Sequence, residues 1–130
     1  MAAIYVDASA VGRVLLGEPD AQAVLRELAG FDQHVASRLM RIELRRLALR
    51  EDAFEAADRL LDGVALIPLD DAVLAAAETV LSATVATLDA IHLATALRLA
   101  AAGMLDTVMT YDRQLADGAA HHGLRVVAPV

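Results

Sequence analysis

"AIYVDASAVGRVLL" (residues 3–16) decides the fold of this chain. Residues 3–6 form a short apolar run with β-branched and aromatic members, which reads as a buried strand ending at Asp7. From Ala8 to Leu16 the pattern turns helical. A buried strand that runs directly into a helix is the opening of a strand–helix alternation, and the rest of the chain repeats it.

"GEPD" (17–20) is punctuation, with Pro19 suited to a first helical turn, and a second helix is expected to about Leu28. "HVAS" (34–37) is a short strand or turn, followed by helical patterns over 38–50 and 53–61. "VALIPL" (64–69) is a strand, and Asp70 and Asp71 open an alanine-rich helix to about Ser82. Another helix follows in "TLDAIHLATA" (87–96), then the strand "TVMT" (107–110), a short helix after Asp112, and a last strand "LRVV" (124–127). Short apolar strands alternating with helices imply an α/β protein with a parallel sheet covered on both faces. With no repeat, linker or low-complexity tract, residues 1–130 are expected to form one domain.

Composition narrows the chemistry. Hydrophobic residues make up 58% of the chain, yet Glu78, Asp89 and Arg98 interrupt the richest region below the roughly 18–20 apolar residues that span a bilayer. No membrane association is expected. "MAAIYVDASA" has neither a basic flank nor a long apolar run, so it does not read as a signal peptide. The absence of cysteine removes disulfides, thiolate metal sites and a cysteine nucleophile together. A cytoplasmic protein with a very apolar core is the simplest expectation. All 11 basic residues are arginine, which excludes lysine Schiff-base chemistry and a P-loop. The formal net charge of −7 argues, taken alone, against a generic nucleic-acid binder.

Four acids carry the functional reading, and each has a structural alternative. In parallel sheets, ligands sit beyond the carboxyl ends of the strands. Asp7 and Asp112 lie at or just past two such ends, where each also suits a helix N-cap. Asp89, at the start of its helix, is either a cap or one corner of a metal site. Glu43 falls inside the apolar arc made by Leu39, Met40, Leu44 and Leu47 at roughly 100° per residue. A carboxylate there needs a cation, either a local arginine (Arg46 or Arg50) or something else. Four carboxylates converging on one pocket would force protonation unless divalent cations compensate them. With oxygen ligands and no thiolate, those cations would be Mg²⁺ or Mn²⁺, and a pair of them serves in-line phosphodiester hydrolysis. Ser9 and Thr110, each two residues from a candidate acid, are placed to orient a carboxylate or a water. His92, inside an apolar helix, reads as a hydrogen-bonded core histidine. His121 and His122 read as an exposed loop pair with no assigned role.

At this point "IYVDASA", "SRLMRIELRR", "LDAIHLATAL" and "VMTYDRQL" resemble the successive blocks of PIN-domain ribonucleases, and most of all the VapC toxins of bacterial toxin–antitoxin modules. The resemblance spans nearly the whole chain. It implies a PIN-like α/β/α sandwich and an acidic quartet of Asp7, Glu43, Asp89 and Asp112 that binds Mg²⁺ or Mn²⁺. It further implies RNA as substrate, cleaved to leave a 5′-phosphate, a homodimer, and inhibition by a cognate antitoxin that inserts a peptide segment into the groove.

The charge objection weakens locally. Arg38, Arg41, Arg45, Arg46 and Arg50 fall within thirteen residues with Glu43 as the only acid, a balance of +4. Arg38, Arg41 and Arg45 share the face opposite the apolar arc, where they would meet an RNA backbone or a partner chain. Two other readings fit less well. Phosphorylatable receivers place a lysine beside the phosphoryl group, and dehalogenase-type phosphatases need Asp-x-Asp where this strand ends "DAS". A PIN-like chain without turnover, acting only as a binding partner, is the remaining alternative.

Overall fold

In the computed structural model, which describes residues 3–81 and 84–130, the alternation becomes a five-stranded parallel sheet with helices on both faces. β1 (Ala3–Val6) runs into α1 (Ala8–Leu15) and α2 (Ala21–Leu28). β2 (Gln33–Ser37) leads to α3 (Arg38–Glu51) and α4 (Phe54–Asp62), and β3 (Ala65–Ile67) to α5 (Asp71–Thr79) and α6 (Thr87–Ala101). β4 (Leu105–Met109), α7 (Arg113–His121) and β5 (Arg125–Val127) complete the chain.

The strand order is β3-β2-β1-β4-β5. β1 is therefore central, and all four of its residues are buried. Its period-2 alternation feeds two cores. Ile4 and Val6 pack with Val11, Met40, Leu44 and Met109 on one face. Ala3 and Tyr5 pack with Leu93, Leu99, Val108 and Leu115 on the other. The order reverses direction between β1 and β4, and in open α/β sheets such a switch point is where the ligand crevice lies, beyond the carboxyl ends of the strands. Register sets its walls. Val6 pairs with Met109, so the next residues, Asp7 and Thr110, stand side by side at the sheet edge.

The helices follow the expected pattern with local differences. α3 starts at Ser37, whose hydroxyl accepts from the Leu39 N–H at 3.1 Å. It ends at Asp52 in the left-handed conformation (φ 51°) that Asp tolerates better than branched residues. Leu39, Met40, Leu44 and Ala48 form its buried stripe, and Leu47 is only half-buried. α2 begins at Ala21 after Asp20, so Pro19 lies outside the first turn. β3 is shorter than its sequence pattern because Pro68 has no N–H to extend the ladder. α5 stops at Thr79, and the end expected near Ser82 lies outside the described residues. Among the described residues no helix is long and apolar enough to cross a membrane.

Packing of α3 against the sheet is what fixes the position of Glu43, and it can be tested from both sides of the helix. Leu44→Ala, at a fully buried position, should cost about 2–5 kcal/mol of unfolding free energy. Ile42→Ala, at a position that is half exposed, should stay within about 0.5 kcal/mol. Urea unfolding of the two variants measures both, and equal shifts would mean that the buried face of α3 is assigned wrongly.

Candidate active site

The crevice is built around Asp7, which is buried with both carboxylate oxygens occupied. Oδ1 accepts the Ser9 hydroxyl at 2.7 Å and the Ala10 N–H at 3.2 Å, the latter an N-cap bond for α1. Oδ2 accepts the Thr110 hydroxyl at 2.7 Å. Each hydroxyl gives its one proton to Asp7, so the 3.3 Å approach of Ser9 Oγ to Thr110 Oγ1 is a contact without a shared proton. Their lone pairs accept backbone donors instead: the Tyr111 N–H reaches Ser9 at 2.8 Å and the Asp112 N–H reaches Thr110 at 3.0 Å. The cap reading and the site reading of Asp7 thus coexist. Burial pushes its carboxyl up from the ordinary value, while the Ser9 and Thr110 hydroxyls pull the other way.

Asp112 caps α7 through Oδ1, which accepts from the Gln114 and Leu115 N–H groups at 2.9 and 3.1 Å. Asp89 differs from its expected place as the first residue of its helix. The N-cap of α6 is Ala86, with no side-chain cap bond, and Asp89 is the third residue of the first turn. Capping therefore does not explain it. The helix N-terminus favours a carboxylate there, yet the Asp89 carboxyl is pushed up to about 6. Burial is the largest cause and the negative charge of Asp112 the next; Asp7 and Glu43 add to it, and His92 opposes it. The other three acids therefore lie near enough to Asp89 to act on its carboxyl.

Glu43 does not take the local arginine partner considered from sequence. Its Oε1 lies 2.7 Å from Nε2 of His92 on α6. His92 is almost fully buried, and its Nδ1 lies 2.6 Å from the Tyr5 hydroxyl. That hydroxyl also accepts the Ser37 N–H at 3.2 Å. The expectation of a hydrogen-bonded core histidine therefore holds, with Glu43 as one of its two partners. Tyr5 was not singled out in the sequence, although a tyrosine in an otherwise aliphatic strand signals a hydroxyl that must find a partner. Arg13 is another such residue: it stacks 3.8 Å above the Tyr111 ring and pairs with Asp20 at 3.0 Å. His121 and His122 are exposed as expected, but they close α7 rather than sit in a loop, and His122 bonds the Leu81 carbonyl.

The oxygen-only set suits a hard cation by charge. Among the described residues, however, no three acid or imidazole groups are close enough to hold one ion by themselves. The donors thus fit a cation that keeps part of its water, as Mg²⁺ does, better than a dry carboxylate cage.

On α3, the outward face is less polar than its arginines suggest. Arg38, Arg41, Arg45 and Arg46 border a groove that also contains Ile42, Leu49 and Phe54. Arg45 pairs with Asp58 and lies over the Phe54 ring at 4.8 Å.

The family model described as "PIN domain" matches residues 4–121. The chain belongs to the PIN-domain family. Its place within the family is the VapC group. It is 40% identical over 131 aligned residues to Ribonuclease VapC46 of Mycobacterium tuberculosis, covering 99% of both chains. It is 36% identical to Ribonuclease VapC47 of the same species, covering 97% of this chain and 96% of that one. Among solved structures it is similar in fold to VapC20 of M. tuberculosis, a toxin that cleaves the sarcin–ricin loop. That match has a TM-score of 0.69 at 18% identity and covers 97% of this chain and 99% of the other.

Two measurements probe this geometry. Thr110→Val leaves Asp7 Oδ2 and the Asp112 N–H without partners, and should lower stability by about 1–3 kcal/mol; an unchanged unfolding midpoint would remove Thr110 from the site. Asp89 gives a pH signature. Its folded value lies near 6 against the ordinary 3.8, so the folded state binds the proton more tightly than the unfolded one. Its contribution is present below about pH 4 and is lost as pH rises through about 6. In EDTA, Asp89→Asn should melt close to wild type at pH 4 and above it at pH 7. A gap that stays constant with pH would show that Asp89 feels no repulsion from the other acids.

Proposed function

We propose that this chain is an endoribonuclease that hydrolyses RNA phosphodiester bonds with the help of Mg²⁺ or Mn²⁺, and that it acts as the toxin of a toxin–antitoxin pair in the cytoplasm. Membership of the PIN-domain family and the likeness to two named ribonucleases support the nuclease class. The observation that carries the cation is the raised Asp89 carboxyl, which three other acids and burial hold in an unfavourable state. Asp7, Glu43, Asp89 and Asp112 are its proposed ligands, within one PIN domain spanning 1–130.

Divalent cations, when bound, supply the positive charge that the acids lack and, as a pair, activate water and stabilise the leaving oxygen of an in-line displacement. The chain's own residues do the positioning. Ser9 and Thr110 fix the rotamer of Asp7 so that its carboxylate does not turn on cation binding. The first turn of α6 holds Asp89 rigidly, and the α7 cap holds Asp112. His92 holds Glu43 from behind. Pre-arranged ligands of this kind avoid reorganisation during the reaction.

For the outward face of α3, the apolar members favour a protein partner over RNA. Ile42 and Leu49 are half exposed between the arginines, and a phosphate backbone has no use for aliphatic surface. The partner proposed is the cognate antitoxin or the second copy of a homodimer.

Incubating the purified chain with total RNA and sequencing the new 5′ ends tests the activity. EDTA should abolish cleavage, and Mg²⁺ or Mn²⁺ should restore it; full cleavage in EDTA would end the cation account. Asp7→Asn and Asp89→Asn should fold and lose most turnover. The arginine face has its own test. Arg41→Glu with Arg45→Glu should leave the RNA affinity of the free enzyme and its salt dependence unchanged, while weakening antitoxin binding or self-association. A flattened salt slope would instead assign that face to RNA.

A further inference from the structure

The buried hydrogen bonds behind Glu43 do more than fill a core. Tyr5 is fully buried, and its oxygen accepts the Ser37 N–H at 3.2 Å. With the Ser37 N–H already given to its oxygen, the phenol has its own hydroxyl proton left to donate. The nearest acceptor for that proton is Nδ1 of His92 at 2.6 Å. A ring nitrogen that accepts carries no proton, so the ring proton sits on Nε2. Nε2 faces Glu43 Oε1 at 2.7 Å, where it must donate because the carboxylate has only lone pairs to offer. The reverse arrangement, with the proton on Nδ1 alone, would set two acceptors against each other across that short contact.

We propose that Tyr5 and His92 form a relay that positions Glu43: the tyrosine sets the tautomer of the histidine, and the histidine Nε2–H anchors one carboxylate oxygen so that the other faces the crevice.

The elements joined by this relay explain its use. Glu43 is the longest of the four acid side chains and 29% exposed, so without an anchor it is free to turn toward solvent. Tyr5 lies two residues before Asp7 on β1, His92 lies three residues after Asp89 on α6, and Ser37 both bonds Tyr5 and caps the helix that carries Glu43. One chain of hydrogen bonds therefore sets the spacing of three acid-bearing elements. The proposal rests on reading the four acids as a cation site, and makes His92 a positioning residue that never touches substrate.

Two substitutions of His92 separate this role from mere packing. His92→Gln places an amide N–H near the former Nε2 and keeps the donor to Glu43. His92→Asn places its amide near the former Nδ1, keeping the Tyr5 contact and losing the donor. The metal-free chain is followed by calorimetric titration with Mn²⁺ and by thermal melting, and turnover on RNA is measured separately. His92→Asn should lose about 10–100-fold in Mn²⁺ affinity and in kcat, the usual cost of removing a group that orients a ligand, with KM little changed. His92→Gln should retain most of both, although the two variants melt at similar temperatures. If Mn²⁺ affinity simply follows melting temperature across the two, the relay is overturned.

The second readout needs no metal and no variant of the histidine. Nitrogen NMR of the His92 ring in the wild-type chain should show a protonated Nε2 and a bare Nδ1, and Tyr5→Phe should abolish that preference. A proton on Nδ1 in the wild type would mean that Tyr5 donates elsewhere, and would also overturn the relay. Failure of the cation reading looks different: wild type would take up no Mn²⁺ at all, while the ring spectrum would still report on Tyr5 and His92.

Discussion

The structure depends on one buried carboxylate. Asp7 ends the central strand, where burial penalises its charge and two hydroxyls and one backbone N–H act against that penalty. Every feature around it serves those bonds. The β1–β4 register brings Thr110 level with Asp7. The turn after β1 places Ser9 below it and lets the same carboxylate cap α1. Both hydroxyls then accept N–H groups from residues 111 and 112, so the segment carrying Asp112 is tied to the segment carrying Asp7. A change of register by one residue would put an apolar side chain where Asp7 stands and break all of these bonds together.

Such a site is destabilising by construction. Burial and three acids act on Asp89, and a helix terminus opposes them. The remainder of the molecule has to hold the crevice open. A fully buried central strand, two apolar cores and close helix–sheet contact through alanines of α6 (Ala90, Ala94 and Ala96 are all buried) supply that rigidity. This is the usual division between a rigid scaffold and a strained functional rim. A composition so rich in alanine and leucine, with charges confined to the surface and the crevice, is consistent with that division.

The long side chains on α3 show how one helix serves two purposes. Its inner stripe packs on the sheet, its flank carries Glu43 to His92, and its outer face presents arginines over Ile42, Leu49 and Phe54. Because these faces diverge around the helix axis, a partner docked on the arginine face does not touch the crevice directly. Any influence it has on turnover would travel through α3 itself, and Glu43 is the acid on that path.

Much of this was legible in the residues. Strand–helix alternation in 3–16 and its repeats gave the parallel sheet, because period and apolar run length are local properties. The placement of Asp7 and Asp112 past strand ends followed from the same local rules, whereas Glu43, expected inside the apolar arc of α3, stands on its part-exposed flank beside the buried stripe of Leu39, Met40, Leu44 and Ala48. What sequence could not decide was pairing across the fold. His92 meets Glu43 49 positions away and Tyr5 87 positions away, and Thr110 meets Asp7 across 103. Local pattern could name only Arg46 or Arg50 as side-chain partners for Glu43, and left Asp89 open between a cap and a corner of a metal site. Those partners lost because strand order and register carried other groups closer. Hydrogen bonds act over about 3 Å, and which atoms come within that distance is a property of the packed sheet and helices, not of neighbours along the chain.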